Sequence, residues 1–543
     1  MTFRKIALTH TILFLVVAFV SVSPWYYLML TAAQLIYVPL ALHLIMKKGD
    51  WFNRLYPYIS TPAYLSIVIL QVTSQTAWDG LLATIYFLFT FFVAVYGFTR
   101  FLNRGFAHLE ECSIDIGLMY LWIGGAWFLA HEANIDTGFS PIIRWLTGIH
   151  FHHSAFLLPI FVGFLGRLSK STLYKVTCSI ILISPIIVAL GITFSRWLEL
   201  ISVILYIIGI YGLIFLSWKA PIHHVVAKVL IRFSFAALGV TILFSFLYAL
   251  GNVWREFTIT IDFMLRFHGL LNGFVFAFIG LIGWSLFTPL SKMDRWDFPI
   301  SKIRGKKVIG ERILEDIKDR NKDTFSYKGL VDNMHSYEPE VCYESLSPTI
   351  LDFYENTNNY RLFAEVKWRT WFKPFVLIYR LISRYVQQLN LPLSSDKKEM
   401  TGNIYPIQDE MDGRNNTRSW VRKMEDEVVF VALYSSHQKQ NHTYMNIALP
   451  LPWSSMIGIL ELKQYGKELI LTSKSNLEKA DSDSGIYLAI HNYLLKLPIH
   501  EQFNLMEIRK GVLKAQHNMW IFSIPFLTID YFISHRNAKE LLP

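Results

Sequence analysis

Five histidines and two glutamates at the edges of apolar runs are the side chains of this protein best placed to do chemistry. His268 stands inside "DFMLRFHGLLNGFVFAFIGLIGW", His150, His152 and His153 open "HFHHSAFLLPIFVGFLGR", and His131 and Glu132 close "GLMYLWIGGAWFLAHE". Glu199, three residues after Arg196, begins a further apolar run. An ionisable group inside a run of membrane-spanning length is costly unless it has a partner or a task. Neutral imidazole ligates Zn, Cu, Fe or haem and exchanges protons near neutral pH. On a helix His150 and His153 share a face while His152 points elsewhere. Gly269 and Gly273 form a G-x-x-x-G beside His268 that would admit a neighbouring helix, and Asn272 could hydrogen-bond across that contact. His268, Asn272, His150, His153 and Glu199 therefore form the candidate set for a small ligand or a proton. His131, Glu132, His150, His153 and His268 form the candidate set for a metal. Against both stands a plainer reading, in which water at the interface satisfies the shallow groups and His268 only bonds one helix to another.

Apolar residues make up 53% of the 543 and charged ones 17%, and nearly all of the apolar excess precedes Pro289. Runs of roughly 17–25 apolar residues match a ~30 Å hydrocarbon layer. Ten are expected: Ile6 to Val22, Trp25 to Met46, Pro57 to Thr73, Leu81 to Phe98, Ile114 to Ala130, His150 to Leu168, Val176 to Phe194, Leu198 to Trp218, Val229 to Leu250 and Phe263 to Pro289. Lys and Arg load every second loop, as at Lys47, Lys48 and Arg54 or at Arg167, Lys170 and Lys175, whereas "SVSP" and "SQTAWD" carry none. Basic loops stay in the cytoplasm. Both termini are thus expected inside, in a cell membrane, with the histidines toward the outer surface and the first run kept as a signal-anchor. The formal charge of +10 sits in those loops and just after the last span, so anionic lipid explains it and nucleic acid is not implied. Cys112, Cys178 and Cys342 share no close spacing and give neither a disulfide framework nor a zinc pattern.

The two stretches "GIHFHHSAFLLPIFVGFLGR" and "FMLRFHGLLNGFVFAFIGLIGW", the second reading H-G-x-x-N-G-x-x-F from His268 to Phe276, resemble the His-containing membrane motifs of the YndJ-like family. These are bacterial multi-pass proteins without an established activity. The resemblance covers roughly the membrane half and implies a bacterial plasma-membrane protein; it supplies no reaction and no cofactor.

Residues 1–290 are read as a transmembrane domain, 291–325 as a basic linker lying on headgroups, and 326–543 as a cytoplasmic α+β domain containing an antiparallel sheet. In "YRLFAEVKWRTWFKPFVLIYRLISRYV" basic residues interleave with aromatics, which describes either an interfacial helix, broken at Pro374, or one packed on the domain core. "RSWVRKM", "EVVFVALYSSHQ", "TYMNIALPLP", "SMIGILELKQYG" and "KELILTSKS" read as hairpin strands. "SGIYLAIHNYLLKL" reads as a helix covering them, and "MWIFSIPFLTIDYFI" as a buried or interfacial segment. No nucleotide-binding, hydrolase or metalloprotease motif occurs in a supporting context.

Three functions fit: transport or sensing of a small ligand, ion or lipid, with the tail holding an apolar or lipid molecule; a membrane-embedded enzyme dependent on metal or histidine; or an interaction module anchored in the bilayer. The topology is directly testable. Reporter fusions after Lys48, Arg104, Lys170 and Lys219 are expected to behave as cytoplasmic, and fusions after Gln75, Asp136 and Arg255 as exported; one reversed neighbour would remove a span.

Overall fold

A computed structural model describes residues 3–21, 23–254, 259–291, 296–310, 313, 327–474 and 482–538. Arg255, Lys292 and Arg295 of the loop pattern, and most of 311–326, lie outside them. The chain divides into two compact units, Met1–Leu102 with His108–Met293, and Asn103–Ala107 with Asp294–Pro543.

Among the described residues the first unit contains ten helices long and apolar enough to cross a membrane: Phe3–Val20, Tyr27–Ile45, Trp51–Val72, Asp79–Leu102, Leu109–Glu132, Pro141–Leu168, Thr172–Phe194, Arg196–Lys219, Val225–Trp254 and Ile261–Leu286. They are called spans one to ten. Several outrun the apolar stretches, because the polar residues at their ends find partners. Span five begins at Leu109 rather than Ile114, and its Glu110, Glu111 and Asp115 are buried. Arg100 Nε of span four donates to Asp115 Oδ1 at 2.7 Å, and Arg167 of span six forks onto both oxygens of Glu111 at 2.7 and 2.9 Å. Span six begins at Pro141, so His150 lies well inside it rather than at its mouth.

Three spans carry π-helical turns: Ala33–Tyr37 in span two, Phe151–Leu157 in span six, and Met264–Gly269 with Leu271–Ile279 in span ten. The first two have a cause in the sequence. Pro39 and Pro159 each follow two residues after the π segment, at the start of the next α-helical turn. A proline in a helix removes one donor and crowds the carbonyl four residues back, and a widened turn relieves that crowding.

The second unit corrects the α+β expectation. Its strands are β1 (Tyr360–Trp368), β2 (Lys398–Pro406), β3 (Arg418–Met424), β4 (Glu427–Lys439), β5 (His442–Leu451), β6 (Ser454–Tyr465), β7 (Glu468–Thr472), β8 (Gly485–Ile490), β9 (Tyr493–Lys496), β10 (Ile499–Arg509), β11 (Val512–Ile521) and β12 (Ile524–His535). All pairings are antiparallel, in the order β5-β4-β3-β2-β1-β12-β11-β10-β7-β6, and β6 pairs back to β5. Ten strands thus close into a barrel. The free edge of β6 is shared: Glu461–Tyr465 pairs with β7 and Ser454–Ile459 with β8, so the β8–β9 hairpin branches off the wall. The segment read as a covering helix is that hairpin, and the last apolar run is the β11–β12 hairpin turning at Phe522-Ser523.

Side chains alternate as a closed sheet requires. On β3, Trp420 and Met424 belong to the interior core, while Val421 belongs to an outer cluster with Val431 and Ile457. That outer cluster also takes Phe298 and Ile309, so the described part of the linker, 296–310, packs on the barrel. Ser301 Oγ donates to Asp412 Oδ1 and Arg414 Nε to Asp412 Oδ2, both at 2.5 Å, the Arg414–Asp412 pair being fully buried.

One end of the barrel is plugged by 327–359. Ser347 and Thr349 donate to Glu507, and Arg418 reaches Gly329 O and Asp332. At the other end β4 and β5 splay apart before their ladder begins at Leu433↔Ala448, and a buried amide fills the gap. Gln388 Nε2 donates to Val431 O and Pro450 O, and Val431 N donates to Gln388 Oε1, each at 2.9 Å. Gln388→Leu strands these backbone groups at about 1–3 kcal/mol apiece; the expected outcome is a cooperative loss of several kcal/mol, read by thermal unfolding of the solubilised chain, with faster amide exchange at Val431.

Candidate functional site

The membrane unit brings part of the sequence-derived set together. The rings of His150 and His268 lie 6.3 Å apart, joining spans six and ten. His268 Nδ1 donates to Thr241 O of span nine at 3.1 Å, and its Nε2 accepts from Asn272 Nδ2 at 3.0 Å. Asn272 in turn accepts from Thr241 Oγ1 at 2.8 Å, so it does bond across the helix contact. A Cβ on Gly269 would come 2.9 Å from Met29 Sδ of span two, whereas one on Gly273 meets nothing within 4 Å. The first glycine of the G-x-x-x-G admits a neighbour, and the second offers its carbonyl to Tyr37 Oη at 2.8 Å.

The three histidines of span six share one tautomer. Each donates Nδ1–H to the carbonyl four residues back: His150 to Leu146, His152 to Gly148 and His153 to Ile149. That leaves every Nε2 as an acceptor. His152 Nε2 takes the Tyr86 hydroxyl at 2.9 Å, while buried His153 Nε2 has no hydrogen-bond partner. Its ring meets Tyr37 edge-on at 5.6 Å. In the same π-helical turn as Tyr37, Gln34 is fully buried with neither amide atom bonded. Among the described residues these atoms are unpaired, at a cost of about 1–3 kcal/mol each.

The remaining candidates stand elsewhere. His131 Nδ1 donates to Pro141 O at 3.0 Å beside Tyr27, with Glu132 next to it in the chain. Glu199 is bonded by Asn252 Nδ2 at 3.3 Å, and no described hydrogen bond links it to a histidine. Among the described residues no three His, Cys, Asp or Glu side chains are grouped to hold a metal. Reasoning from sequence missed Tyr37, Tyr86, Gln34 and Thr241. Pro39, just after the π turn that carries Gln34 and Tyr37, could have signalled those two; Tyr86 and Thr241 lie on regular α-helices and gave no signal.

The barrel holds a second site that no motif announced. Its interior is an apolar cavity of about 460 Å³, within the ~300–1,000 Å³ of small-molecule sites. Phe353 and Tyr354 floor it from the plug; Phe372, Phe375, Val376 and Tyr379 roof it from the Lys373–Val386 helix and the turn before it. A few polar groups face inward. Arg422 is flanked by Trp420 and Phe430, its guanidinium 4.6 and 4.4 Å from their ring centres, and its Nε is buried without a hydrogen-bond partner. His517 Nε2 bonds Glu501 Oε2 at 3.0 Å. Two inward glycines make room: a Cβ on Gly402 would come 2.5 Å from Trp420 Nε1, and one on Gly458 2.8 Å from Glu501 Oε1. Burial pushes the Tyr434 hydroxyl up to about 12 against the pull of Arg422, so it stays a donor at neutral pH.

Comparison with known proteins places the chain. The model of the YndJ-like protein family matches residues 28–276. A protein of Bacillus subtilis (strain 168) named "Uncharacterized membrane protein YndJ" is 40% identical over 465 residues, with 84% of each chain covered. Coverage that broad runs past residue 290 into the barrel unit. No solved structure matches.

The geometry of the membrane cluster has a direct check. With the native cysteines replaced, a Cys pair at positions 150 and 268 is expected to crosslink with a short bifunctional reagent, and a pair at 199 and 268 is not. Failure of the first pair would separate spans six and ten.

Proposed function

The chain belongs to the YndJ-like family of membrane proteins, and from that premise we propose that it senses or transports a lipid-like molecule, held by its apolar part inside the C-terminal barrel. The observation that carries this reading is the apolar cavity of about 460 Å³ inside the barrel. A cavity of that size lined by aliphatic and aromatic side chains excludes ions and sugars and favours an acyl chain or similar body. Arg422, which lines the cavity together with Tyr434 and Tyr531, is placed to take an acidic head, and a guanidinium inside an apolar chamber gains most from an anion. In this reading the tail lies in the cytoplasm and the protein in the cell membrane, as the loop charges imply. The membrane cluster supplies the coupled small-ligand or proton site: the π turns of spans two, six and ten meet around His153, His268 and Tyr37.

The enzyme reading, with His150, His153 and His268 as ligands or acid and base, has less behind it, because Asn272 already occupies His268 Nε2. The interaction-module reading leaves the cavity without a use.

Titration of the delipidated full chain with a fluorescent long-chain fatty acid is expected to saturate at one per chain. Ala515→Trp, which fills the chamber from the β11 wall, should abolish binding at a folding cost of about 1–3 kcal/mol. Arg422→Met should weaken the acid about tenfold or more, the ~1.5–3 kcal/mol of a hydrogen bond to a charged group, and leave the corresponding alcohol nearly unchanged. Equal binding by wild type and Ala515→Trp would place the ligand outside the barrel.

A further inference from the structure

The Lys373–Val386 helix that roofs the cavity has three distinct stripes. Val376, Ser383 and Val386 are buried against the barrel. Lys373, Arg380 and Arg384 form a basic stripe at helical spacing beside them. The rest of the circumference is apolar and exposed: Leu377 at 57%, Ile378 at 66%, Leu381 at 79% and Tyr385 at 66%. A helix packed only on a soluble domain has no reason to turn large apolar side chains outward, and a contiguous exposed patch of this kind marks an interaction surface.

The same end of the barrel continues the patch. The strand registers put the C-terminus of β1, the β5–β6 turn and the β11–β12 turn at one rim. Trp453 of the β5–β6 turn is 61% exposed, and Phe522 and Ile524 of the β11–β12 hairpin are 61% and 53% exposed. Trp371, just before the helix, is tied to that hairpin through Nε1 to Pro525 O at 2.9 Å. At the opposite end, by contrast, the turn at Gly466 and Lys467 is polar. The acidic β3–β4 turn, Glu425-Asp426-Glu427, also lies at the apolar rim; Arg384 pairs there with Glu427 and Lys398 with Glu425, so Lys373 and Arg380 are the stripe residues offered to phosphates.

We propose that this face, the roofing helix with the Trp453 and Phe522 turns, docks on the surface of an anionic bilayer, its apolar stripe among the acyl chains and its basic stripe at the phosphates. Apolar side chains with flanking Lys and Arg are what an interfacial helix requires. The occupant is lipid rather than protein because the basic stripe borders the apolar one along its length and because the inner side of the same helix lines the cavity. An apolar molecule entering the barrel there passes from bilayer to chamber without crossing water. The docking proposal gives the lipid-binding reading its route, but its test needs no ligand, so either can fail alone.

The test uses the full chain in lipid nanodiscs, with Cys342 replaced by Ser and single nitroxide labels at Leu381→Cys or, at the far end, Lys467→Cys. Accessibility to oxygen and to a water-soluble nickel chelate reads the surroundings. With anionic lipid, the label at 381 should favour oxygen by at least about tenfold over the label at 467, and Lys373→Glu with Arg380→Glu should cut that preference severalfold, as should neutral lipid. A label at 381 open to the nickel reagent overturns docking. One shielded from both reagents means that protein covers the face, and overturns it as well. Insertion indifferent to lipid charge overturns the assignment to anionic lipid.

Discussion

The pairing of β5 with β6 is the interaction on which the second unit depends. Without it the ten strands would be an open sheet with two long edges, each a row of unpaired amide groups and a template for association. With it the inward side chains face one another across an enclosed space, and their size decides whether that space is filled. Gly402, Gly458 and Ala515 keep it from filling. The closure is incomplete at one rim, where Gln388 substitutes its side-chain amide for the missing backbone pairs. The roofing helix ends at Val386, just before that residue, so barrel closure and roof position are not independent.

The membrane unit meets the same requirement differently. Each span satisfies its own backbone, and proline disturbs that in spans two and six. The resulting π turns present Tyr37, Gln34, His152 and His153 toward neighbouring spans, where tyrosine and carbonyl partners satisfy most but not all of their polar atoms. A second polar layer, Arg100 and Arg167 with Glu111 and Asp115, ties spans four, five and six together. Removing one member of such a buried set costs about 3–5 kcal/mol, and its balance of charge reads as structural.

Much of this was legible in the sequence. The ten spans follow from run length, and β3 from "RSWVRKM" to the residue. The loop charges placed His150 and His268 toward one side of the membrane but left open whether their helices adjoin, which the 6.3 Å ring separation answers. Other features were hidden for physical reasons. "SGIYLAIHNYLLKL" has apolar residues at both strand and helix periods, and only the His491-Asn492 turn, with His491 at φ 49°, decides for a hairpin. The acidic run Glu110-Glu111 looked like a loop because its arginine partners lie on other spans. The β5–β6 hairpin is local, but the barrel also needs β1 to pair with β12 and β7 with β10, contacts between separated strands that no local pattern announces, so a sheet was expected and its closure was not. The roofing helix was open between two readings: it packs on the barrel through Val376, Ser383 and Val386, and its interfacial reading is the docking proposal.

A barrel that contains an apolar molecule must show that molecule inside it. The most direct measurement is a density map of the full chain after delipidation and incubation with a brominated long-chain fatty acid. The expected result is continuous density between Tyr354 at the floor and Tyr379 at the roof, with the acid group within hydrogen-bond distance of Arg422. Opposite walls in contact, with bromine density confined to the membrane spans, would contradict it.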